Sequence, residues 1–211
     1  MVGTMCFTSS FYEKNAIELA NQYDSIEFES VHYAWKKDWP KKGKNVLDVG
    51  AGSGRDAKWF AKHGCNVLAV EPAETMRKLG EENTPEEVTW LEDELPTLYK
   101  VRKLSCRYDL ILVSAVWMHL PVMRRYKALS VLAKLLTKKG KIVITLRQGS
   151  FDDGRKSFGV SLIEIERLTK QIGLNIAYIA DSGDAQGRTD VTWQTVVLDQ
   201  NSKPTNKHHQ A

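Results

Sequence analysis

Short apolar runs of strand length recur along the chain at 45–50, 66–71, 88–92, 108–115, 141–147, 174–181 and 192–199. Helical patterns separate most of them. The clearest helix spans 121–136, where Pro121 suits a first turn and Val122, Tyr126, Leu129, Ala133 and Leu136 repeat on one face. Gly140 punctuates before the next strand. Strands alternating with helices predict βαβ units and a parallel sheet covered on both faces. The near-continuous apolar stretches 110–113 and 142–144 agree with burial on both sides. The end of the chain differs. Residues 182–191 are polar, contain Gly183 and Gly187 and carry no helical pattern, so the last two strands read as an antiparallel hairpin closing a seven-stranded sheet. Ahead of the sheet, residues 1–43 are polar and aromatic-rich, with a short helical pattern from Asn15 to Tyr23, and Pro40 and Gly43 break the chain before the first strand. The expected organisation is an N-terminal helical cap at 1–43, an α/β domain at 44–199 and a frayed polar tail at 200–211, in which His208 and His209 read as solvated.

Composition narrows the class. Among 211 residues, 42% are hydrophobic and 27% charged, which excludes a disordered chain, a collagen and a disulfide scaffold. The formal net charge of +4 permits an anionic partner without demanding one. Cys6, Cys65 and Cys106 are scattered without CxxC or metal-ligand spacing, so reduced thiols, no metal and a cytoplasmic setting are expected. No apolar run is long enough for a membrane span, and the first residues lack an export pattern.

The densest chemical signal is Val46-Leu47-Asp48-Val49-Gly50-Ala51-Gly52-Ser53-Gly54-Arg55-Asp56, an apolar strand entering D-x-G-x-G-x-G and then a helix. Glycines let the chain turn sharply and let a ligand approach the backbone, and the helix start offers unpaired N–H groups. A dinucleotide fingerprint would place its third glycine where Arg55 stands, and no G-K-[S/T] follows for a Walker loop. A ligand-free glycine turn is the plain alternative. The loop's place at the first strand-to-helix switch favours a ligand. The second strand ends in Glu71, followed by Pro72; a carboxylate there can accept both hydroxyls of a ribose, or simply cap a surface helix. The third ends Trp90-Leu91-Glu92-Asp93, where either acid could accept from an adenine amino group.

Together these residues resemble the class I S-adenosylmethionine (SAM)-dependent methyltransferases over roughly 10–199, and within them a subgroup of small bacterial enzymes with poorly defined substrates. The resemblance rests on Phe28-Glu29-Ser30-Val31-His32 with Trp35, on residues 47–56, on Ser114-Ala115-Val116-Trp117-Met118-His119-Leu120 and on Ile144-Thr145-Leu146-Arg147. Where the subgroup pattern has a histidine after Arg147, this chain has Gln148. The resemblance implies a Rossmann-like α/β fold, a seven-stranded mostly parallel sheet with an antiparallel last strand and helices on both faces. It implies SAM across the carboxyl ends of the first, second and fourth strands. Gly50, Ala51, Gly52 and Gly54 would then lie near its methionine part, Glu71 would hold the ribose, and Glu92 or Asp93 would read the adenine. Asp48, Pro72 and Ser114 complete the set, and Tyr23, with Tyr12, would close from the cap.

Methyl transfer is an in-line displacement, so the task is to hold a nucleophile near the methyl carbon and exclude water. A base is needed only where the nucleophile carries a proton. His119 is the candidate, with a histidine bonded only to backbone at the helix entry as the equal alternative. Arg147 can pair with a carboxylate or phosphate of the substrate, or with a loop acid near Asp152, Asp153 and Arg155. His32 and Trp35 either line the pocket or pack the cap, and Arg188 and Trp193 are further candidates without assigned chemistry. Amino-methylating DNA enzymes of this class carry [D/N/S]-P-P-[Y/F/W] after the fourth strand; Ser114 and Trp117 match its ends, while Ala115 and Val116 replace both prolines. Basic clusters occur at Lys36-Lys37, Lys41-Lys42-Lys44, Arg124-Arg125 and Lys138-Lys139-Lys141, the last in a turn where lysines are usually solvated, and no aromatic-interleaved basic stripe supports nucleic-acid binding. The expectation is methyl transfer to an O, N or S atom of a small molecule. A tRNA, DNA or protein target and a non-catalytic SAM-binding module are the alternatives, and no oligomeric state is implied.

Overall fold

The computed structural model describes residues 7–149, 151 and 153–200. Its strands are β1 (Asn45–Val49), β2 (Asn66–Val70), β3 (Thr89–Leu91), β4 (Tyr108–Val113), β5 (Leu136–Gln148), β6 (Leu174–Gly183) and β7 (Thr192–Gln200). They form one sheet in the order β3-β2-β1-β4-β5-β7-β6. β1 to β5 pair in parallel, and β7 inserts antiparallel between β5 and β6. The expected parallel sheet with an antiparallel last strand is therefore what the chain forms. β1 lies between β2 and β4, so the strand order reverses beside it, and a crevice opens over the carboxyl ends of these strands.

Side chains alternate across the sheet and feed two cores. Leu47, Ile111, Ile142, Ile144 and Val196 face one side, where α7 (Val122–Leu135) contributes Ala128, Leu129 and Leu132 and α8 (Leu162–Ile172) contributes Ile165 and Leu168. Val46, Leu110, Leu112, Val143 and Val197 face the other, against Ala57 and Phe60 of α4 (Arg55–Lys62) and against Phe28 and Trp35. With both faces covered, the strands need no polar side.

The N-terminal segment forms α1 (Phe7–Lys14), α2 (Ala16–Asp24), α3 (Phe28–His32) and a 3₁₀ turn over Tyr33–Asp38. Ala16, Leu19 and Ala20 recur at helical spacing and pack on Ala73 and on Met76 of α5 (Glu74–Asn83), which sets the cap beside the crevice. Between β3 and β4 lies the short helix α6 (Tyr99–Lys103).

Several sequence expectations are corrected. On α7, Val122 and Tyr126 are each 50% exposed, and the buried stripe is Arg125, Ala128, Leu129, Leu132 and Leu135. The buried stripe therefore includes a charged residue. Arg125, half of a basic pair in the sequence, is fully buried. Its Nε donates to the Leu120 carbonyl at 3.0 Å, Nη1 to the Gly159 carbonyl at 2.9 Å and to Glu164, and Nη2 to the Phe158 carbonyl at 3.1 Å. β5 begins at Leu136 rather than Lys141; the register against β4 jumps from Tyr108↔Leu136 to Leu110↔Lys141, so the Gly140 punctuation is an irregularity within the strand. Gln200, assigned to the tail, pairs with Leu174 at the end of β7, and residues 201–211 lie outside those described.

Candidate active site

The glycine loop hangs from β2. The Gly50 and Ala51 amides both donate to the Val70 carbonyl, at 2.8 and 3.0 Å. Gly50 and Gly52 take φ of +71° and +57°, the left-handed region that glycine enters without strain. A methyl added at Gly50 would stand 2.4 Å from Val116 Cγ2. Gly50→Ala is therefore expected to cost about 2–4 kcal/mol in urea unfolding, from overpacking and backbone strain together. Gly43→Ala, at φ +81° but in open space, isolates the backbone part and is expected to cost only about 1 kcal/mol.

Glu71 joins this loop to the next helix. Its Oε2 accepts from the Gly52 amide at 3.0 Å and its Oε1 from the Ala73 amide at 2.9 Å. The carboxyl is buried on the wall of a cleft of about 270 Å³, together with Gly50, Ala51, Gly52, Pro72, Ser114 and Tyr23. Burial pushes its pKa up to about 7, against the pull of the two amides. The folded value lies above the unfolded one, so Glu71 contributes stability that is full below the unfolded pKa and lost as pH rises through about 7. Unfolding of the ligand-free chain between about pH 5 and pH 8 is expected to show this fall, and Glu71→Gln is expected to flatten it.

Behind the loop a buried polar chain ties cap to sheet. Trp35 Nε1 donates to His32 Nδ1 at 3.0 Å, so the His32 proton resides on Nε2 and is donated to Asp56 Oδ2 at 2.9 Å. Arg55 Nε donates to the other Asp56 oxygen at 2.7 Å. Although burial opposes it, these partners hold the Asp56 pKa below the usual carboxylate range. Burial and the Asp56 charge push Asp48 well above it. His32 and Trp35 thus pack the cap rather than line the pocket. Asp48 lies behind the loop rather than on the cleft wall, and its Oδ2 is buried without a hydrogen-bond partner among the described residues.

Three other predicted cofactor residues have partners of their own within the fold. An added methyl at Gly54 would meet Thr84 Cγ2 at 2.7 Å and Trp90 Cζ2 at 3.0 Å, so this glycine permits close packing of α4 on α5 and β3, away from the cleft. Glu92 turns outward to Lys100 at 2.9 Å. Asp93 reaches the wall, but its carboxylate accepts four backbone amides, from Glu94, Tyr99, Lys100 and Val101, and so secures the start of α6. Four bonds use its lone pairs. A run of two acids after a strand does not reveal which will be consumed by the next helix.

Past Ser114 the cleft turns toward the expected transfer site. Ala115 takes φ +55°, a value closed to proline, and its amide donates to Thr145 Oγ1 at 2.8 Å. Trp117 is fully buried. His119 stands on the cleft wall and is also anchored to backbone. Its Nδ1 stands 2.8 Å from the Lys156 carbonyl, which only accepts, so Nδ1 carries the proton and the Nε2 lone pair faces Tyr12 Oη at 3.4 Å. Burial, reinforced by Arg155, lowers its pKa against the pull of the Lys156 bond, so the ring is neutral near pH 7. Arg155 Nη1 donates to Tyr23 Oη at 2.7 Å and to Tyr12 Oη at 3.4 Å, which joins the cap to the loop after β5. Arg147 reaches the same wall; its Nη1 donates to the Gly149 carbonyl at 2.8 Å, and its guanidinium lies 4.0 Å from the Phe151 ring centroid. Sequence reasoning missed Phe151 and Asp184, both on the wall, because neither sits in a motif. Among the described residues, no cluster of His, Cys, Asp or Glu could hold a metal ion, and no helix is long and apolar enough to cross a membrane.

Fold and cleft together define a class I SAM-dependent methyltransferase architecture. Residues 18–183 match the methyltransferase-domain family, and the chain belongs to it. An uncharacterized methyltransferase of Alkaliphilus oremlandii (strain OhILAs) is 27% identical over 104 residues, 49% of this chain and 46% of that protein, so the match spans about half the relative's length. Among solved structures, the magnesium protoporphyrin IX methyltransferase of Synechocystis PCC 6803 with bound SAM superposes with a TM-score of 0.63 at 16% identity, covering 95% of this chain and 87% of the other. The 1,6-didemethyltoxoflavin-N1-methyltransferase of Burkholderia thailandensis, with its substrate and S-adenosylhomocysteine bound, gives a TM-score of 0.67 at 16% identity over 92% and 87%. At such identities the likeness is one of fold.

Proposed function

We propose that the protein transfers a methyl group from SAM to an O, N or S atom of a small molecule in the cytosol. SAM fits the residues present: two left-handed glycines leave backbone bare at the loop, and a buried carboxyl, Glu71, ends β2 on the cleft wall. When bound, SAM supplies an electrophilic methyl on a sulfonium. In this reading the Gly50–Gly52 backbone and the Glu71 carboxyl would hold SAM, the carboxyl by accepting from ribose hydroxyls, and Pro72 and Leu95 would line the adenine end, which Asp93 shapes through α6. The described part of the N-terminal segment, residues 7–43, serves as a cap, with Tyr12 and Tyr23 shutting water out of the transfer site.

The observation that carries this reading is the unprotonated His119 Nε2 on a cleft continuous with the glycine loop. It can take a proton from an acceptor hydroxyl, amine or thiol, and Tyr12 Oη steadies it. Fold neighbours that bind a porphyrin and a toxoflavin precursor support a small acceptor. The left-handed Ala115 and the buried Trp117 speak against a nucleic-acid base, because the first departs from the proline-set carbonyls and the second has no face to stack. Incubating the protein and labelled SAM with fractionated cell extract tests the proposal. Label is expected in the metabolite fraction, whereas label confined to RNA, DNA or protein would refute a small-molecule acceptor.

A further inference from the structure

Three guanidiniums converge on the cleft beyond His119, each from a different element. Arg147 is on β5, Arg155 on the loop that follows, and Arg188 on the β6–β7 connection. The register sets Arg147 opposite Trp193 and Thr145 opposite Thr195 across β5 and β7. Partners directly across a ladder share a face. Along β5 this face runs from the core residue Val143 to Thr145 and then to Arg147, which is 7% exposed, so a polar, cationic floor replaces apolar packing at the carboxyl edge.

Two carboxylates hold the outer arginines still. Asp153 accepts from Arg155 Nε and Nη2, at 2.9 and 2.6 Å to Oδ2. Asp184 accepts from Arg188 Nε at 2.9 Å and Nη2 at 2.7 Å, from Trp193 Nε1 at 2.9 Å and from two backbone amides. These bonds occupy the acids and fix the cations. At Arg147, burial and then repulsion from Arg188 and Arg155 outweigh the attraction of Asp184 and Asp190, and its pKa is lowered. An anion entering this end of the cleft meets three guanidiniums on one wall. The Phe151 ring stands 4.0 Å from the Arg147 guanidinium and 4.5 Å from that of Arg155 and holds both beside it.

We infer that this floor is the subsite for an oxyanion, carboxylate or phosphate, on the methyl-accepting molecule, with Arg147 and Arg188 as its donors. The inference rests on the methyltransferase reading, since it assigns the substrate end of the same cleft. The probes are benzoate, phenyl phosphate and the neutral benzamide, titrated calorimetrically into protein saturated with S-adenosylhomocysteine. One of the two anions is expected to bind at least about tenfold more tightly than benzamide, and whichever does names the oxyanion. Arg147→Gln and Arg188→Gln are each expected to remove most of that preference, and Arg147→Lys to keep part of it. Arg188 is partly exposed but pairs with the buried Asp184, so urea unfolding of each Gln variant is measured beside its affinity and only folded variants are scored. Equal binding of anions and amide, or a preference that both Gln variants retain, overturns the inference. The S-adenosylhomocysteine titration separates the two claims: its failure refutes the methyltransferase reading, and the same anion series on the ligand-free protein still decides the subsite.

Discussion

Arg125→Ala is expected to lower folding stability by about 3–5 kcal/mol, the range for breaking a buried ion pair from one side. The guanidinium is fully buried in a web of three carbonyls and Glu164. Its loss strands that carboxylate, whose Oε1 is already buried without a partner among the described residues. It also frees the segment after Gly154, which is held to the 3₁₀ turn at Trp117–His119 by the Phe158 amide donating to the Met118 carbonyl at 2.7 Å. That segment supplies the Lys156 carbonyl that sets the His119 tautomer. Urea unfolding of Arg125→Ala beside Lys127→Ala, an exposed change on the same helix expected to stay within about 0.5 kcal/mol, checks this.

His119→Ala is expected to slow methyl transfer by about 10²–10⁴-fold for an acceptor that must lose a proton, the usual share of a positioned base. The wild-type rate is expected to be level at neutral pH and to fall as pH drops through the lowered His119 pKa, because protonation fills the Nε2 lone pair. Single-turnover rates across pH, with the acceptor found by the labelling experiment, measure both effects. A variant that keeps full turnover and the same acid limb would leave His119 as a backbone anchor alone.

The strands, their order of appearance, the terminal hairpin and the glycine loop were all legible in the sequence, because each follows from local apolar runs and from glycine's freedom at positive φ. Glu71 was legible from its place at the end of the second strand. What was not legible depends on partners distant in sequence. Arg125 stood in the sequence only as half of a basic pair, because its carbonyl partners at 158 and 159 lie far along the chain. Asp93 and Glu92 were separated only by the start of α6, which consumes one and leaves the other to Lys100. His32 was left open between pocket and cap, and Trp35 and Asp56, which use both its nitrogens, decide for the cap.

The central claim is that SAM lies over the glycine loop with Glu71 at its ribose. Calorimetric titration of S-adenosylhomocysteine into the wild-type protein and into Glu71→Ala tests it most directly. The account predicts one saturable site per chain, weakened by roughly 100-fold or more in the variant as two charge-assisted hydrogen bonds are lost. Absence of binding to the wild-type chain, or equal affinity in Glu71→Ala, would contradict it.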